Sequence, residues 1–285
     1  MVRRKVRFLD GNTLFDMSNN LKDIKEKRIE EIKSLKNEKS GRTLLHYATI
    51  NCNFDVIRYL IEVVKVDINE LDNNNLNALM LASLQNCDMK IVNYLFRNGI
   101  NLKQKDNILN RNALMIAVNS NSINIVDYLL GLKLFDISET DDDEDDCVTI
   151  AIKHSNLEVL DKLLKHAKQN YIFEQIIYYL HYNYPNRNKA IITLLKNINV
   201  KKLPMYRYTI LEHVVYNLNY EIFSFLDSSR MIDIKHDAEI RKIDIIKEFK
   251  ENTETKIFNK KFMEKQGFTS EQMYNIVGIY NLLFP

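Results

Sequence analysis

The chain has 285 residues, a net charge of +2, six glycines and three prolines. So few turn-formers exclude a β-sandwich or barrel, and the dispersed glycines leave no Gly-rich loop for a nucleotide. An apolar fraction of 46% sets aside wholesale disorder, and 40 bases against 38 acids give no global basic face for nucleic acid.

The chain opens on four bases within Met1–Arg7. No long apolar region follows them, so a secretory signal is not predicted. A solvated tail is favoured over a nucleic-acid contact there. No run of 18 uncharged apolar residues occurs, so no membrane span is predicted. Residues 18–36 place Leu21, Ile24, Ile29, Ile32 and Leu35 among charges. That pattern predicts one amphipathic helix within an N-terminal arm and cap over residues 1–40.

An internal period governs residues 41–235. Thr43-Leu44-Leu45-His46-Tyr47-Ala48, Asn77-Ala78-Leu79-Met80-Leu81-Ala82, Asn112-Ala113-Leu114-Met115-Ile116-Ala117 and Asp146-Cys147-Val148-Thr149-Ile150-Ala151 begin 34, 35 and 34 residues apart. Each is followed by an apolar stripe: Val56, Ile57, Leu60 and Ile61, then Ile91, Val92, Leu95 and Phe96, then Ile125, Val126, Leu129 and Leu130, then Val159, Leu160, Leu163 and Leu164. A degenerate fifth unit surrounds Ile177 and Ile191–Leu195. A clearer sixth runs from Thr209 through Ile222, Phe223 and Leu226. Each unit reads as two short antiparallel helices that bury their stripes only by stacking on neighbours. The recurring Ala48, Ala82, Ala117 and Ala151 mark a place where backbones approach closely. Asn/Asp clusters between units read as turns.

The segment Thr43–Ala48 resembles the Thr-Pro-Leu-His-x-Ala signature of ankyrin repeats. The spacing to Val56-Ile57 and Leu60-Ile61, Gly99 after the second helix, and the turns at Asp67-Ile68-Asn69 and Gly99-Ile100-Asn101 are similar to that family too. The family proline is replaced by Leu44, Ala78, Ala113, Cys147 or Ile210, and its histidine survives only as His46, a helix-capping side chain in the ankyrin manner. Regular helix starts are therefore not predicted elsewhere. The resemblance implies an all-α, curved solenoid of about six repeats, with hairpin fingers and helical caps. It also implies a non-enzymatic, monomeric module that binds a partner protein and needs no cofactor. Short all-ankyrin proteins of this kind are common in pathogens and viruses, which implies a host-directed effector in the host cytosol. By the same analogy, the partner-binding positions are Arg42, Ile50, Asn74, Leu76, Leu84, Arg111, Asn119, Asp143, Asp145 and Lys153.

Eight acids fall within residues 136–146. Their spacing lacks the EF-hand pattern, so a solvated loop is favoured over a cation site. A third reading makes them a charged finger that selects a basic partner. Cys52, Cys87 and Cys147 are too few and too scattered for a disulfide framework, and a reducing compartment follows as the default. Cys52 and Cys87 are read as matching positions of successive units, where packing alone explains them. No C-x-x-C or H-x3-5-H pair suggests zinc, and the six histidines show no nucleophile spacing. A hidden enzyme would need a polar pocket with converging titratable groups.

Residues 236–285 are predicted to form a helical cap. Ile240, Ile243, Ile246 and Phe249 make one buried stripe, and Thr269-Ser270-Glu271 caps a final helix. The segment Phe268–Val277 faintly resembles the F-box-like end of poxvirus-type ankyrin proteins. That resemblance implies an adaptor that carries a substrate to a ubiquitin ligase. A capping helix sealing the last repeat is the favoured reading.

Overall fold

A short helix leaves its first backbone amides without partners, so what stands just before it decides where it begins. The computed structural model describes residues 7–181, 187–199, 209–210, 213–214, 219–229 and 231. In chain order its elements are β1 (Arg7–Leu9), α1 (Gly11–Asn19), α2 (Leu21–Lys25), α3 (Ile29–Ser34), β2 (Leu35–Asn37), α4 (Leu44–Ile50), α5 (Phe54–Tyr59), α6 (Ala78–Leu84), α7 (Met89–Arg97), α8 (Ala113–Asn119), α9 (Ile123–Gly131), α10 (Cys147–Lys153), α11 (Leu157–Leu164), α12 (Gln169–His181), α13 (Arg187–Asn197) and α14 (Tyr220–Ser228). A π-helical turn, Leu60–Val64, continues α5.

The inner helices start regularly despite the missing prolines and histidines. Asn77, Asn112 and Asp146 each accept a hydrogen bond from the backbone amide three residues on, at 3.0, 3.0 and 2.7 Å. Where Thr43 precedes α4, Nδ1 of His46 accepts from the Thr43 amide at 3.0 Å. Asn and Asp therefore do alone what the Thr/His pair does in the first repeat.

The chain divides into two units, residues 1–163 and 164–285. In the first, the inner helices stack in order: α1 on α4, α4 on α6, α6 on α8 and α8 on α10. Ala48, Ala82, Ala117 and Ala151 are completely buried at these junctions. Of the outer-helix stripes, Val56, Ile57 and Leu60, Ile91, Val92 and Leu95, Ile125, Val126, Leu129 and Leu130, and Val159, Leu160, Leu163 and Leu164 are buried as predicted, whereas Ile61 and Phe96 are only half-buried. Burying each such side chain contributes roughly 1.5–3 kcal/mol. Neither helix of a pair could bury its stripe alone.

Residues 18–36 are not one helix. Asn20 ends α1 and caps α2 through its side chain, and the chain breaks again before α3. Ile24, Ile32 and Leu35 are buried as expected, but Ile29 is 42% exposed. Leu35 opens strand β2, which pairs in parallel with β1. The array thus begins with a helical segment, α1, that packs on α4 as each inner helix packs on the next.

In the second unit α12 packs against α13, and α13 against α14. Here the segment expected to form a fifth unit departs from the pattern. Helix α12 has 13 residues, against seven in α4, α6, α8 and α10. Its buried stripe is Ile172, Ile176, Tyr179 and Leu180. Of the segment expected to form a sixth unit, Ile210, Val214, Ile222, Phe223 and Leu226 are fully buried. The predicted helices over 238–264 and 272–284, and the segment 268–277, lie outside the described residues.

Cys52 and Cys87 form a disulfide, with Cα atoms 5.5 Å apart. The expectation of three unpaired cysteines is corrected, and with it their register. Cys52 has φ +48°, the left-handed conformation that Asn86, Asn121 and Ser155 adopt at 34-, 35- and 34-residue intervals. Cys87 falls one residue later than the equivalent of Cys52. A repeat plus one residue brings the two sulfurs face to face across a junction.

Candidate protein-binding surface

Between the outer helix of one repeat and the inner helix of the next, the chain forms a finger. Each finger is a turn opened by Asn37, Asp72, Asp106 or Asp141. Their amides donate to Arg42, Leu76, Arg111 and Asp145 carbonyls at 2.8, 3.1, 3.0 and 2.9 Å. The side-chain oxygen of each opening residue accepts two backbone amides further along its own turn: Lys39 and Ser40, Asn74 and Leu76, Ile108 and Leu109, Asp143 and Asp145. Such side-chain bonds fix a turn without glycine or proline. Near each tip one residue takes a positive φ: Gly41, Asn75, Asn110 and Glu144. At Gly41, where φ is +67°, a Cβ would stand 2.3 Å from the Asn73 side-chain oxygen, so any other residue would be strained and would have to displace that side chain of the next finger.

The fingers stack on one another through the main chain. The amides of Asn73, Asn107 and Asp142 donate to the carbonyls of Ser40, Asn74 and Leu109 at 2.8, 3.1 and 3.0 Å. Ion pairs reinforce alternate junctions. Arg42 bonds Asp72 at 3.1 Å and Arg111 bonds Asp141 at 2.7 Å, while Lys36 pairs with Glu70 and Lys105 with Glu139. The Asp72 and Asp141 side chains are 1% and 0% exposed, so these two carboxylates are structural. Burial opposes the charged form of Asp141, but the bonds from Arg111 and from the Asp145 and Asp143 amides outweigh it. Its carboxyl titrates below the usual range.

The structure sorts the ten predicted residues into two groups. Arg42, Leu76, Arg111 and Asp145 share one register and serve the array's own contacts. Leu76 is 8% exposed, with its carbonyl 3.2 Å from Nε2 of His46. Asp145 is 7% exposed and binds Lys153 at 2.6 Å. The other six are at least partly accessible. Asn74 and Asp143 occupy fingertips, and Ile50, Leu84, Asn119 and Lys153 occupy equivalent places at the ends of the inner helices. Leu84 is 44% exposed. Sequence reasoning missed Ile108, which stands 60% exposed at the third fingertip. An apolar pair, Ile108-Leu109, between Asn107 and Asn110 in a turn was its signal.

The acid run is not the solvated loop expected. Asp141, Asp145 and Asp146 are buried, and only Asp142, Asp143 and Glu144 crown the tip. Carboxylate oxygens of Asp141, Asp143 and Asp145 approach one another closely enough to ligate a cation. Two of these groups already hold cations of the protein itself, Arg111 and Lys153.

His46 is 1% exposed. Burial lowers its pKa, which favours the neutral ring that its bonds to Thr43 and to the Leu76 carbonyl require. Cys147 is fully buried at the first turn of α10, and burial pushes its thiol up. A cleft of about 760 Å³ lies beside the third and fourth fingers, lined by Ile100, Leu102, Leu134 and Phe135 with Lys103, Lys105, Asp136 and Glu139. Within it Lys105 and Glu139 neutralise each other.

Stacked helix pairs with projecting fingers define a repeat scaffold whose accessible side chains vary along a constant backbone. A family model of ankyrin repeats in three copies matches residues 17–106 and again 85–173. Together these matches span more than half of the chain, and the chain belongs to the ankyrin-repeat family. Its members are generally protein–protein interaction modules and typically not enzymes. No helix among the described residues is long and apolar enough to cross a membrane.

Proposed function

We propose that the chain holds one partner protein through its fingertips and the ends of its inner helices, without catalysis. One observation carries this reading. Ile50, Leu84, Asn119 and Lys153 hold the same backbone place in four successive repeats, yet carry aliphatic, amide and cationic groups in turn, the last already paired with Asp145. The fingertips vary likewise, from Asn74 through Ile108 to Asp143. Packing fixes the neighbouring alanines and aliphatics but leaves these positions to be set by what they touch.

Affinity capture with the wild type and two variants in parallel tests the reading. Leu84→Asp combined with Ile108→Asp should lose a partner that the wild type retains. Val63→Asp, at a 51% exposed site beyond the outer helix α5, should keep it. Equal recovery by all three would refute the assignment of this surface.

A further inference from the structure

In three junctions of the array, the residue just before an outer helix reaches back to the preceding inner-helix segment. Asn53 donates to the Ser18 carbonyl at 3.3 Å, Ser122 to that of Ser83 at 2.7 Å and Asn156 to that of Val118 at 3.0 Å. The fourth place in this register is Cys87, and its equivalent carbonyl belongs to Thr49. The sulfur lies 3.3 Å from that oxygen while bonded to Cys52. An opened Cys87 thiol would therefore find the acceptor that Ser122 uses one repeat on. Cys52 stands where the other repeats carry Asn86, Asn121 and Ser155. Both states of the pair thus have a satisfied structure, covalent when closed and hydrogen-bonded when open.

We propose that Cys52 and Cys87 form a reversible staple across the junction of the first two repeats, closed by exchange with a small disulfide such as glutathione disulfide and opened by excess thiol. Cys52 is the partly exposed member and Cys87 is 5% exposed, so exchange takes place at the Cys52 sulfur. On closing, the Cys52 thiolate attacks glutathione disulfide and releases one glutathione thiolate. The Cys87 thiolate then attacks the Cys52 sulfur of the mixed disulfide and releases the second. Two protein thiols are oxidised, one glutathione disulfide is reduced to two thiols, and both thiol protons pass to solvent or product. The loop closed spans 35 residues, a whole repeat, and joins the segments beside Ile50 and Leu84. Closing it restricts the unfolded chain without rebuilding the native one.

The full chain is equilibrated with glutathione disulfide or with excess dithiothreitol under native conditions. Intact mass, peptide mapping after alkylation and thermal unfolding are then measured. The closed form should be two hydrogens lighter, with Cys52 and Cys87 in one linked peptide. It should melt about 5–15 °C above the open form. Cys87→Ser, which restores the Ser122-type bond to the Thr49 carbonyl, should fold and melt alike in both buffers. The proposal is overturned if both thiols alkylate fully after glutathione disulfide, or if the native bond resists excess thiol. It is also overturned if the two wild-type forms melt together, or if Cys87→Ser retains the redox-dependent shift.

Discussion

Lowering the pH should loosen the junction between the first and second repeats through His46. Nδ1 of this ring accepts from the Thr43 amide at 3.0 Å, and Nε2 donates to the Leu76 carbonyl at 3.2 Å. A second proton would occupy Nδ1 and abolish the first bond inside a site 1% exposed. Burial accordingly depresses the folded-state pKa below its ordinary value of 6.5. A base with a depressed folded pKa binds fewer protons folded than unfolded, so stability is complete above about pH 6.5 and falls as pH drops through and below it. One proton changes stability by at most about 1.4 kcal/mol per pH unit. The expected loss between about pH 7.5 and 5.5 therefore approaches, and does not exceed, about 1.4 kcal/mol from this residue. His46→Gln preserves an acceptor and a donor near both positions but cannot titrate in this range. Urea midpoints of the wild type should fall across this interval while those of the variant fall distinctly less. Parallel slopes for both proteins would refute the capping role of a neutral His46.

Asp141→Asn should cost about 1–3 kcal/mol in urea unfolding, because it leaves the 16% exposed Arg111 side chain without its carboxylate. Asp142→Asn with Asp143→Asn, at the exposed tip, should stay within about 0.5 kcal/mol, and equal effects of the two changes would contradict the division of the acid run. The Asp141 contribution is present above its unfolded pKa of about 3.8 and should disappear as acid titration falls through the lower folded value. Ala82→Leu or Ala117→Leu should overpack a completely buried junction and cost on the order of 1–3 kcal/mol; unchanged midpoints for both would count against close stacking there. Gly99→Ala should cost about 1–2 kcal/mol, since φ is +84° while space for a Cβ is open, so a calorimetric scan with no fall in Tm would remove the strain argument.

The repeat architecture was legible because stacking imposes local demands at fixed intervals. Ala48, Ala82, Ala117 and Ala151, with their following aliphatic pairs, state those demands openly. Helix starts were less legible because the family's Thr/His cap occurs only at Thr43 and His46, whereas Asn77, Asn112 and Asp146 satisfy the same amides by other chemistry. Contacts between repeats were less visible. Arg42 and Arg111 fall at positions that face partners in this family, yet each is bonded to a carboxylate 30 residues on. A 69-residue recurrence of both members of each pair was the available signal. The acid run read as a loop because a count of charges says nothing of which carboxylates accept backbone amides. Cys52 and Cys87 read as equivalent positions, and the single-residue offset that pairs them shows only when the left-handed residues Asn86 and Asn121 set the register.

The protein-binding surface is tested most directly by zero-length-range photo-crosslinking from single positions. A photoreactive amino acid is placed at Leu84, Ile108 or Asp143, and in a separate protein at Val63. Crosslinks to a single partner should form from the first three positions, map to neighbouring segments of that partner, and be absent from Val63. Crosslinks that form from Val63 and from none of the other three would contradict binding through the fingertips and inner-helix ends.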